Sequence, residues 1–437
     1  MENKVITFKN GLTVVVAKTS VFKAVRVEIE AKAGPLLETK ANSGISHFVE
    51  HMALSGSKQF PNIDKFDEEI EILGGGYNGS TDNESINLKI ALPDNQLDLG
   101  LRFISSAMSE ATFPENKLKT EREAILDEIH GYENRRYKKF NEFWKRERYL
   151  NGEAPLKIMG TKSYIRSVSR KALIDWYKYI LSPDNVTLSI VGNINIDKAI
   201  VEAKKYFGNI PMYKKQITRD EWAQYKYSNQ KIVTRADKTD GEAVGIISFP
   251  SLSLINDSYK SRQAAVILGN MFANYRSSIL FNKLRKERGL LYSVGASTSF
   301  EPQTKGLLDI IFTTSDDKML EVYQIIFNEL ENIVSKGLTK EQLNIGIQAI
   351  NNSLKMGYMS LSDIQSWIMP SVFWFKKVRT VDEAIKSRKS IDIDYMNKCI
   401  KEIIQSKQMA IVSGVKDQKT KRELHKLLEE RVSKLNF

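Results

Sequence analysis

The sequence predicts an α+β protein of two similar domains, in which each domain is a mixed β-sheet flanked by helices. The chain has 437 residues, which is too long for one ordinary core and suggests two domains of about 200 residues each. Strand-like alternation and helical periodicity both occur in each half. Hydrophobic residues make up 42% of the chain, so there is enough apolar material for two packed interiors.

The first half supplies most of the predicted elements. Residues 5–17 predict a β-hairpin, and residues 25–31 alternate as a strand does. Helical periodicity covers 43–54 and 61–73, and the second of these helices is stopped at Gly74. The remaining predictions are a strand at 86–92, helices at 95–111 and 169–181, a long helix at 114–144 with a break near Gly131, and a strand at 186–191.

Weak internal repetition links the two halves of the chain. One set of residues reappears at a constant offset: Phe66, Gly74, Tyr77 and Ser80 correspond to Phe281, Gly289, Tyr292 and Gly295. The strand patterns at 25–31 and 188–192 reappear at 244–249 and 410–414. Because these matches keep the same order along the chain, they predict two related halves.

The domain boundaries follow from this repetition. We expect one domain at 1–212, a polar linker at 213–230 and a homologous domain at 231–437. The only histidine of the second domain is His425. A metal site built on several histidines is therefore expected in the first domain alone.

The chain is basic, with a formal net charge of +12. Such a charge is compatible with binding to nucleic acid or to an anionic surface. No zinc-finger spacing, RNA-recognition aromatic motif or helix-turn-helix pattern accompanies it. The charge therefore indicates a solvated basic surface, and no nucleic-acid partner is predicted.

The single cysteine, Cys399, excludes an intrachain disulfide and a thiolate metal cluster. The first residues lack the apolar core of a signal peptide. The most apolar later stretch, at 367–375, is far too short to span a bilayer. A cytoplasmic location without a membrane partner is the expectation.

Two of the four histidines of the chain lie in the motif His47-Phe48-Val49-Glu50-His51. Positions i and i+4 share one face of a helix, so both imidazoles can reach one cation. Glu50 precedes His51 and lies close enough to contact a water on that cation. This is the order His-x-x-Glu-His of the inverted zinc peptidases. Two solvent-facing histidines are the alternative, but the surrounding helix is substantially apolar.

A catalytic zinc needs a third protein ligand and an open position. The acidic helix near residue 125 offers Glu121, Glu123, Asp127 and Glu128. Glu121 and Glu128 are seven residues apart and share one helix face. Spacing alone leaves the choice between these two open.

Three stretches carry a family resemblance: 42–52, which contains the histidine motif, 75–81, and 121–129. They resemble the pitrilysin/insulysin family, which also contains the mitochondrial processing peptidase and many bacterial half-length enzymes. The resemblance covers nearly the whole chain. It implies that Glu128 is the third ligand and that Glu121 is an accessory acid supporting the site. Asp127 departs from the glutamate common in relatives, but it is not a ligand position.

The resemblance implies a zinc-dependent endopeptidase with one Zn²⁺ per chain. Zinc lowers the pKa of its bound water toward about 7. Glu50 is then the general base that takes a proton from this water and passes it to the leaving amine. Two histidines and a glutamate suit zinc, and cobalt or manganese could occupy such a site in vitro.

The resemblance also assigns substrate contacts. Arg285 and Tyr292 are similar to the Arg…Tyr element with which the family holds substrate carbonyls. Asn78 lies in a segment, 78–85, that resembles the family's substrate-binding edge strand. Family members enclose a peptide between two clam-shell halves, and this chain has the length of one half. A homodimer is implied, with Arg285 and Tyr292 facing the zinc of the partner chain.

Two alternatives remain open. The chain could be the active subunit of a heterodimer with an inactive sister chain. It could also be a non-catalytic scaffold subunit, although the complete set of His47, Glu50, His51 and Glu128 argues against this.

Overall fold

The computed structural model describes residues 1–133, 138–150, 156–213, 217, 226–228, 231–236, 242–302, 305–357, 359–406 and 409–435. Most of the predicted linker, 213–230, lies outside these residues. Within the described residues, no helix is both long enough and apolar enough to cross a membrane.

The chain forms two compact units that are not continuous in sequence. The first unit contains Met1–Asn134, Pro155–Ala223 and Met356–Thr380. The second contains Arg135–Ala154, Gln224–Lys355 and Val381–Phe437. Each unit therefore includes a short segment from the opposite half of the chain. The domain boundaries predicted from the repeat do not include these two exchanged segments. A sequence repeat identifies similar segments, but it carries no information about which sheet a helix covers.

The described strands of the first unit form a six-stranded sheet with the order β1-β2-β6-β3-β5-β4. These strands are β1 (Glu2–Thr7), β2 (Thr13–Lys18), β3 (Ala24–Lys32), β4 (Gly76–Thr81), β5 (Ser85–Pro93) and β6 (Val186–Gly192). β1 and β2 form the predicted hairpin. β2 and β6 are parallel, and the other neighbours are antiparallel. β4 lies at the edge of this sheet.

The helices predicted at 43–54, 61–73, 95–111 and 169–181 are all present, with bounds close to the predicted ones. The described α-helices of the first unit are α1 (Ile45–Leu54), α2 (Ile63–Ile72), α3 (Leu97–Ser109), α4 (Glu115–Glu133), α6 (Lys162–Ser167), α7 (Arg170–Ile180), α8 (Ile196–Phe207) and α12 (Leu361–Phe375), and of these α6, α8 and α12 have no predicted counterpart. The long helix predicted at 114–144 is instead α4 and α5 (Lys138–Arg148), and the residues between them lie outside the described part. The predicted break near Gly131 thus falls before the point where α4 ends.

Helix α12 comes from the second half of the sequence, but it packs on the sheet of the first unit. Ile368 is fully buried in a cluster with Val15 and Ala17 of β2 and Val191 of β6. Fully burying such aliphatic side chains contributes about 1.5–3 kcal/mol each. Packing of α12 therefore stabilises two strands, β2 and β6, that are distant from it in sequence.

The second unit contains a five-stranded sheet with the order β7-β11-β8-β10-β9 in the described residues. Its strands are β7 (Lys231–Ala236), β8 (Ala243–Pro250), β9 (Ser293–Thr298), β10 (Leu307–Thr314) and β11 (Ala410–Val415). Its α-helices are α5, α9 (Tyr259–Gly269), α10 (Met319–Lys336), α11 (Lys340–Met356), α13 (Val381–Lys389), α14 (Ile393–Ile404) and α15 (Gln418–Leu435). Two short π-helical segments span Asn270–Asn274 and Phe281–Lys286.

Helix α5 comes from the first half of the sequence, but it packs on the sheet of the second unit. Its Phe140 is buried against Val244, Ile246 and Val412. The Trp144 Nε1 donates to Ser248 Oγ over 3.2 Å. Both sheets are therefore covered in part by a helix from the other half of the sequence.

The two sheets share one topology. Without β1, the order β2-β6-β3-β5-β4 corresponds strand by strand to β7-β11-β8-β10-β9. The parallel pair, β2 with β6, corresponds to the parallel pair β7 with β11. Gly74 and Gly289 both have left-handed φ, and both precede the edge strand of their sheet. The fold is thus the predicted pair of similar α+β domains.

The packing of α12 on the first sheet predicts that Ile368→Ala destabilises the first unit by roughly 2–5 kcal/mol, because the substitution leaves a cavity under α12. Hydrogen exchange followed by mass spectrometry should show the loss of protection in β2 and β6. Ile345→Ala is the control, since Ile345 is 54% exposed on α11 and its loss should leave these strands unchanged. Loss of protection confined to the second unit would contradict the assignment of α12.

Candidate metal centre

Helix α1 carries His47, Glu50 and His51 on an otherwise packed element. Its Phe48, Val49 and Met52 are fully buried and fix the orientation of the helix. The rings of His47 and His51 meet edge to face, with centroids 4.7 Å apart. The i and i+4 spacing therefore places both imidazoles side by side, as the motif predicts.

A buried carboxylate holds the start of α1. Glu38 accepts hydrogen bonds from the backbone N–H groups of Gly44, over 2.7 Å, and Ser46, over 3.0 Å. These are N–H groups that have no partner within the helix. A negative charge at this end also interacts favourably with the helix dipole. Burial raises the pKa of Glu38, and the two backbone hydrogen bonds oppose this effect only in part.

Helix α4 brings its acids to α1. Arg122 of α4 lies over the Phe48 ring, 5.3 Å from its centroid, and donates to the Val168 carbonyl over 2.9 Å. Glu128 Oε2 lies 3.6 Å from His47 Nε2, and its Oε1 lies 3.9 Å from His51 Nε2. One ligand atom from each of these three residues lies within 4.8 Å of the others. Among the described residues, this is the one such group of histidine, cysteine and acidic side chains.

Glu121 occupies a different position. Its Oε2 is 3.0 Å from His51 Nδ1, and its Oε1 accepts from Ser55 Oγ over 3.3 Å. A proton on Nδ1 shared with this carboxylate leaves His51 Nε2 as the free ligand atom. The hydrogen bond from His51 lowers the pKa of Glu121. The structure therefore distinguishes the two acids, which the sequence spacing did not. Glu128 lies at the cluster, and Glu121 lies behind His51.

The surroundings shift the pKa values of the two imidazoles in opposite directions. Burial, together with the neighbouring His51, lowers the pKa of His47 to about 4, so this ring is neutral at neutral pH. Burial also lowers the pKa of His51, but the Glu121 hydrogen bond and three nearby carboxylates raise it overall. Two nitrogens and a carboxylate in this spacing fit the ligand set of a catalytic zinc, which leaves one position open.

Glu50 lies beside the cluster and is 9% exposed. Burial raises its pKa, and a hydrogen bond from Thr81 opposes that effect. The Thr81 Oγ1 donates to Glu50 Oε2 over 2.6 Å. The sequence reasoning did not single out Thr81 or Ser55. The alternation of β4 is the signal that could have found Thr81, since it places a polar residue on the apolar face of the sheet.

The predicted substrate residues lie in both units. Asn78 is on the edge strand β4, where its Oδ1 accepts from the Gly79 N–H. β4 begins earlier than the predicted segment and ends at Thr81, because residues 82–84 form the turn to β5. In the second unit, the Arg285 guanidinium donates to the Leu291 carbonyl. Tyr292 is 60% exposed, and its N–H donates to the Thr313 carbonyl over 3.0 Å.

Two family models match consecutive parts of the chain. The model described as "Insulinase (Peptidase family M16)" matches residues 13–162, which include the whole metal cluster. The model described as "Peptidase M16 inactive domain" matches residues 167–350. The chain belongs to peptidase family M16. The M16 family includes insulinase, in agreement with the resemblance seen in the three sequence stretches.

Relatives along most of the chain carry zinc-protease names. The "uncharacterized zinc protease YmxG" of Bacillus subtilis is 24% identical over 90% of this chain and 93% of its own length. An "uncharacterized zinc protease" of Rickettsia felis is 25% identical over 80% of this chain and 84% of its own length. The beta subunit of the mitochondrial processing peptidase of Bos taurus is 26% identical over 54% of this chain and 48% of its own length.

Solved structures of proteases share the fold. A protease from Helicobacter pylori superposes with a TM-score of 0.81 at 16% identity, over 95% of this chain and 99% of that chain. The periplasmic protease PqqL of Escherichia coli gives a TM-score of 0.82 at 17% identity, over 98% of this chain and 50% of that chain. This M16 chain therefore corresponds in length to about half of PqqL.

The contact between Glu121 and His51 predicts a specific effect on metal binding. Glu121→Gln should lower zinc affinity roughly 10- to 100-fold, because an outer partner orients the ligating imidazole. Competition titration against a chelator measures this affinity. Glu123→Gln, on the exposed side of the same helix, is the matched control and should bind as the wild type does. Equal affinities for both variants would exclude an orienting role for Glu121.

Proposed function

We propose that this chain is a zinc-dependent endopeptidase that hydrolyses peptides or unfolded polypeptides. The observation that carries this proposal is the cluster of His47, His51 and Glu128, with the buried carboxylate of Glu50 beside it. The zinc-protease names of full-length relatives agree with it.

His47, His51 and Glu128 are the residues that would hold zinc. Bound zinc would lower the pKa of a water toward about 7 and polarise the scissile carbonyl. Glu50 then takes a proton from the attacking water and passes it to the amine as the peptide bond breaks. Burial raises the pKa of Glu50, and a raised carboxyl pKa favours a group that both accepts and donates a proton.

The substrate is proposed to bind at the edge strand β4. One edge of β4 pairs with β5, while the other faces away from the sheet. An extended peptide can add there as a further strand through main-chain hydrogen bonds. Because these bonds do not depend on side chains, broad specificity follows. Asn78 lies on this strand, as the family resemblance assigns.

Replacing the proposed base tests the mechanism. Glu50→Gln should reduce peptide cleavage by about 10²- to 10⁴-fold, since that is the usual contribution of a general base. Its zinc content should stay at the wild-type level, because the three ligands are unchanged. Cleavage of a mixed peptide pool, followed by mass spectrometry, measures the activity, and elemental analysis measures the metal.

The outcomes separate the candidate functions. Equal cleavage by the wild type and the variant would contradict the role of Glu50. A zinc-loaded wild type that cuts no peptide would favour the scaffold or heterodimer alternatives. Glu69→Gln is the control for the loss of one negative charge, since Glu69 is exposed on α2.

We further propose that the active form is a homodimer with substrate between two half-shells. The half-length relation to PqqL supports this proposal, since this chain spans 50% of that protein. The exposed Tyr292 and Arg285 would then act on the metal centre of the partner chain. A heterodimer in which this chain is the active subunit is the alternative.

Complementation between two inactive variants tests whether Arg285 and Tyr292 act on the metal centre of the partner chain. Glu50→Gln and the double variant Arg285→Ala/Tyr292→Phe should each be inactive alone. Mixed under exchange, they should recover about a quarter of wild-type activity, because mixed dimers of a two-fold assembly keep one complete site. No recovery, despite mixed dimers detected by native mass spectrometry, would place both elements in the same chain. A strict monomer in light scattering would exclude the homodimer.

A further inference from the structure

Thr81 is a polar residue on an apolar surface. In the register of the first sheet, Thr81 pairs with Ile86 of β5, and Ile86 pairs with Ala31 of β3. Residues that pair directly across neighbouring strands lie on the same face of a sheet, so these three side chains share one face. Ile86 and Ala31 are almost fully buried. Valine has nearly the shape of threonine, so packing alone gives no reason for a hydroxyl here.

The Thr81 hydroxyl makes a hydrogen bond to Glu50 that accounts for a polar group at this position. It donates to Glu50 Oε2 over 2.6 Å, a distance typical of an O–H donor on an ionised carboxylate. Hydrogen bonds of this kind are about twice as strong as neutral ones. Glu50 is buried, so little water is available to replace this donor. One oxygen of the carboxylate is therefore held by strand β4.

Strand β4 also passes close to the other oxygen of this carboxylate. A Cβ on Gly79 would lie 2.7 Å from Glu50 Cγ and 2.8 Å from Glu50 Oε1. The lack of a side chain at Gly79 lets the strand approach this closely. Residues 79 and 81 of β4 lie on the same face of the sheet. On that face, Gly79 leaves space for Glu50, and Thr81 donates a hydrogen bond to it.

We propose that Thr81 is a positioning residue, which holds Glu50 in the rotamer that leaves Oε1 free to exchange a proton with the attacking water. This inference rests on the proposed peptidase function. Thr81 acts only through Glu50 and is not a catalytic residue. Because Thr81 is in the same strand as the proposed peptide-binding edge, the position of the base is tied to the position of the substrate.

Thr81→Val removes the hydroxyl and keeps the shape of the side chain. We expect kcat to fall roughly 10- to 100-fold, which is the cost of small misplacements of reacting groups. KM should stay the same, because the lost interaction does not bind substrate. Thr81→Ser keeps the donor and should retain most of the wild-type kcat. Zinc affinity should be unchanged in both variants, since no ligand is altered.

A structural measurement complements the kinetics. Crystal structures of the metal-free wild type, Thr81→Val and Thr81→Ser should show Glu50 displaced only in the valine variant. Thr187→Val is the matched control, because Thr187 is also buried in this sheet but pairs with Glu30 on the opposite face. If Thr81→Val is too unstable to purify, Thr81→Ala is scored by the same criteria.

The results distinguish this inference from the proposed function. A zinc-loaded wild type that cuts no peptide contradicts the proposal that this chain alone is a peptidase, and the position of Glu50 in the crystals then decides the inference alone. An active wild type with unchanged kcat and an unmoved Glu50 in Thr81→Val overturns the inference and leaves the peptidase intact. A similar fall in kcat for Thr81→Ser or Thr187→Val would assign the effect to packing and also overturn it.

Discussion

The burial of three ionisable side chains on one short helix constrains the whole first unit. His47, Glu50 and His51 are largely removed from water on α1, which is costly unless partners replace that water. The partners come from separate elements: Glu121 and Glu128 from α4, and Thr81 from β4. The relative positions of these elements are thus set by polar contacts as well as by packing. A site held in this way is preorganised by the fold.

The exchange of helices between the two halves has a consequence for stability. α12 covers strands of the first sheet, and α5 covers strands of the second. Neither unit completes its packing until residues from both halves of the chain are available. We therefore expect folding of each unit to depend on long-range contacts, which close slowly because the loop entropy must be overcome first.

The two units use one topology for different purposes. Both sheets end in an edge strand that follows a glycine of left-handed φ, β4 in the first and β9 in the second. The first edge strand places Thr81 against Glu50. The second follows a π-helical segment that contains Arg285 and a short connection that contains Tyr292. A shared fold therefore does not imply a shared site, and function has to be assigned from the side chains of each unit.

The sequence by itself determined the fold class, the repeat and the candidate metal ligands. It did so because strand and helix periodicities are local, and because His47 and His51 are four residues apart on one helix. It could not choose between Glu121 and Glu128 by spacing, since both lie on the same face of α4. Only the tertiary structure placed Glu128 at the cluster and Glu121 behind His51. The contact of Thr81 with Glu50 and the exchange of α5 and α12 also needed it, because they join residues that are distant in sequence.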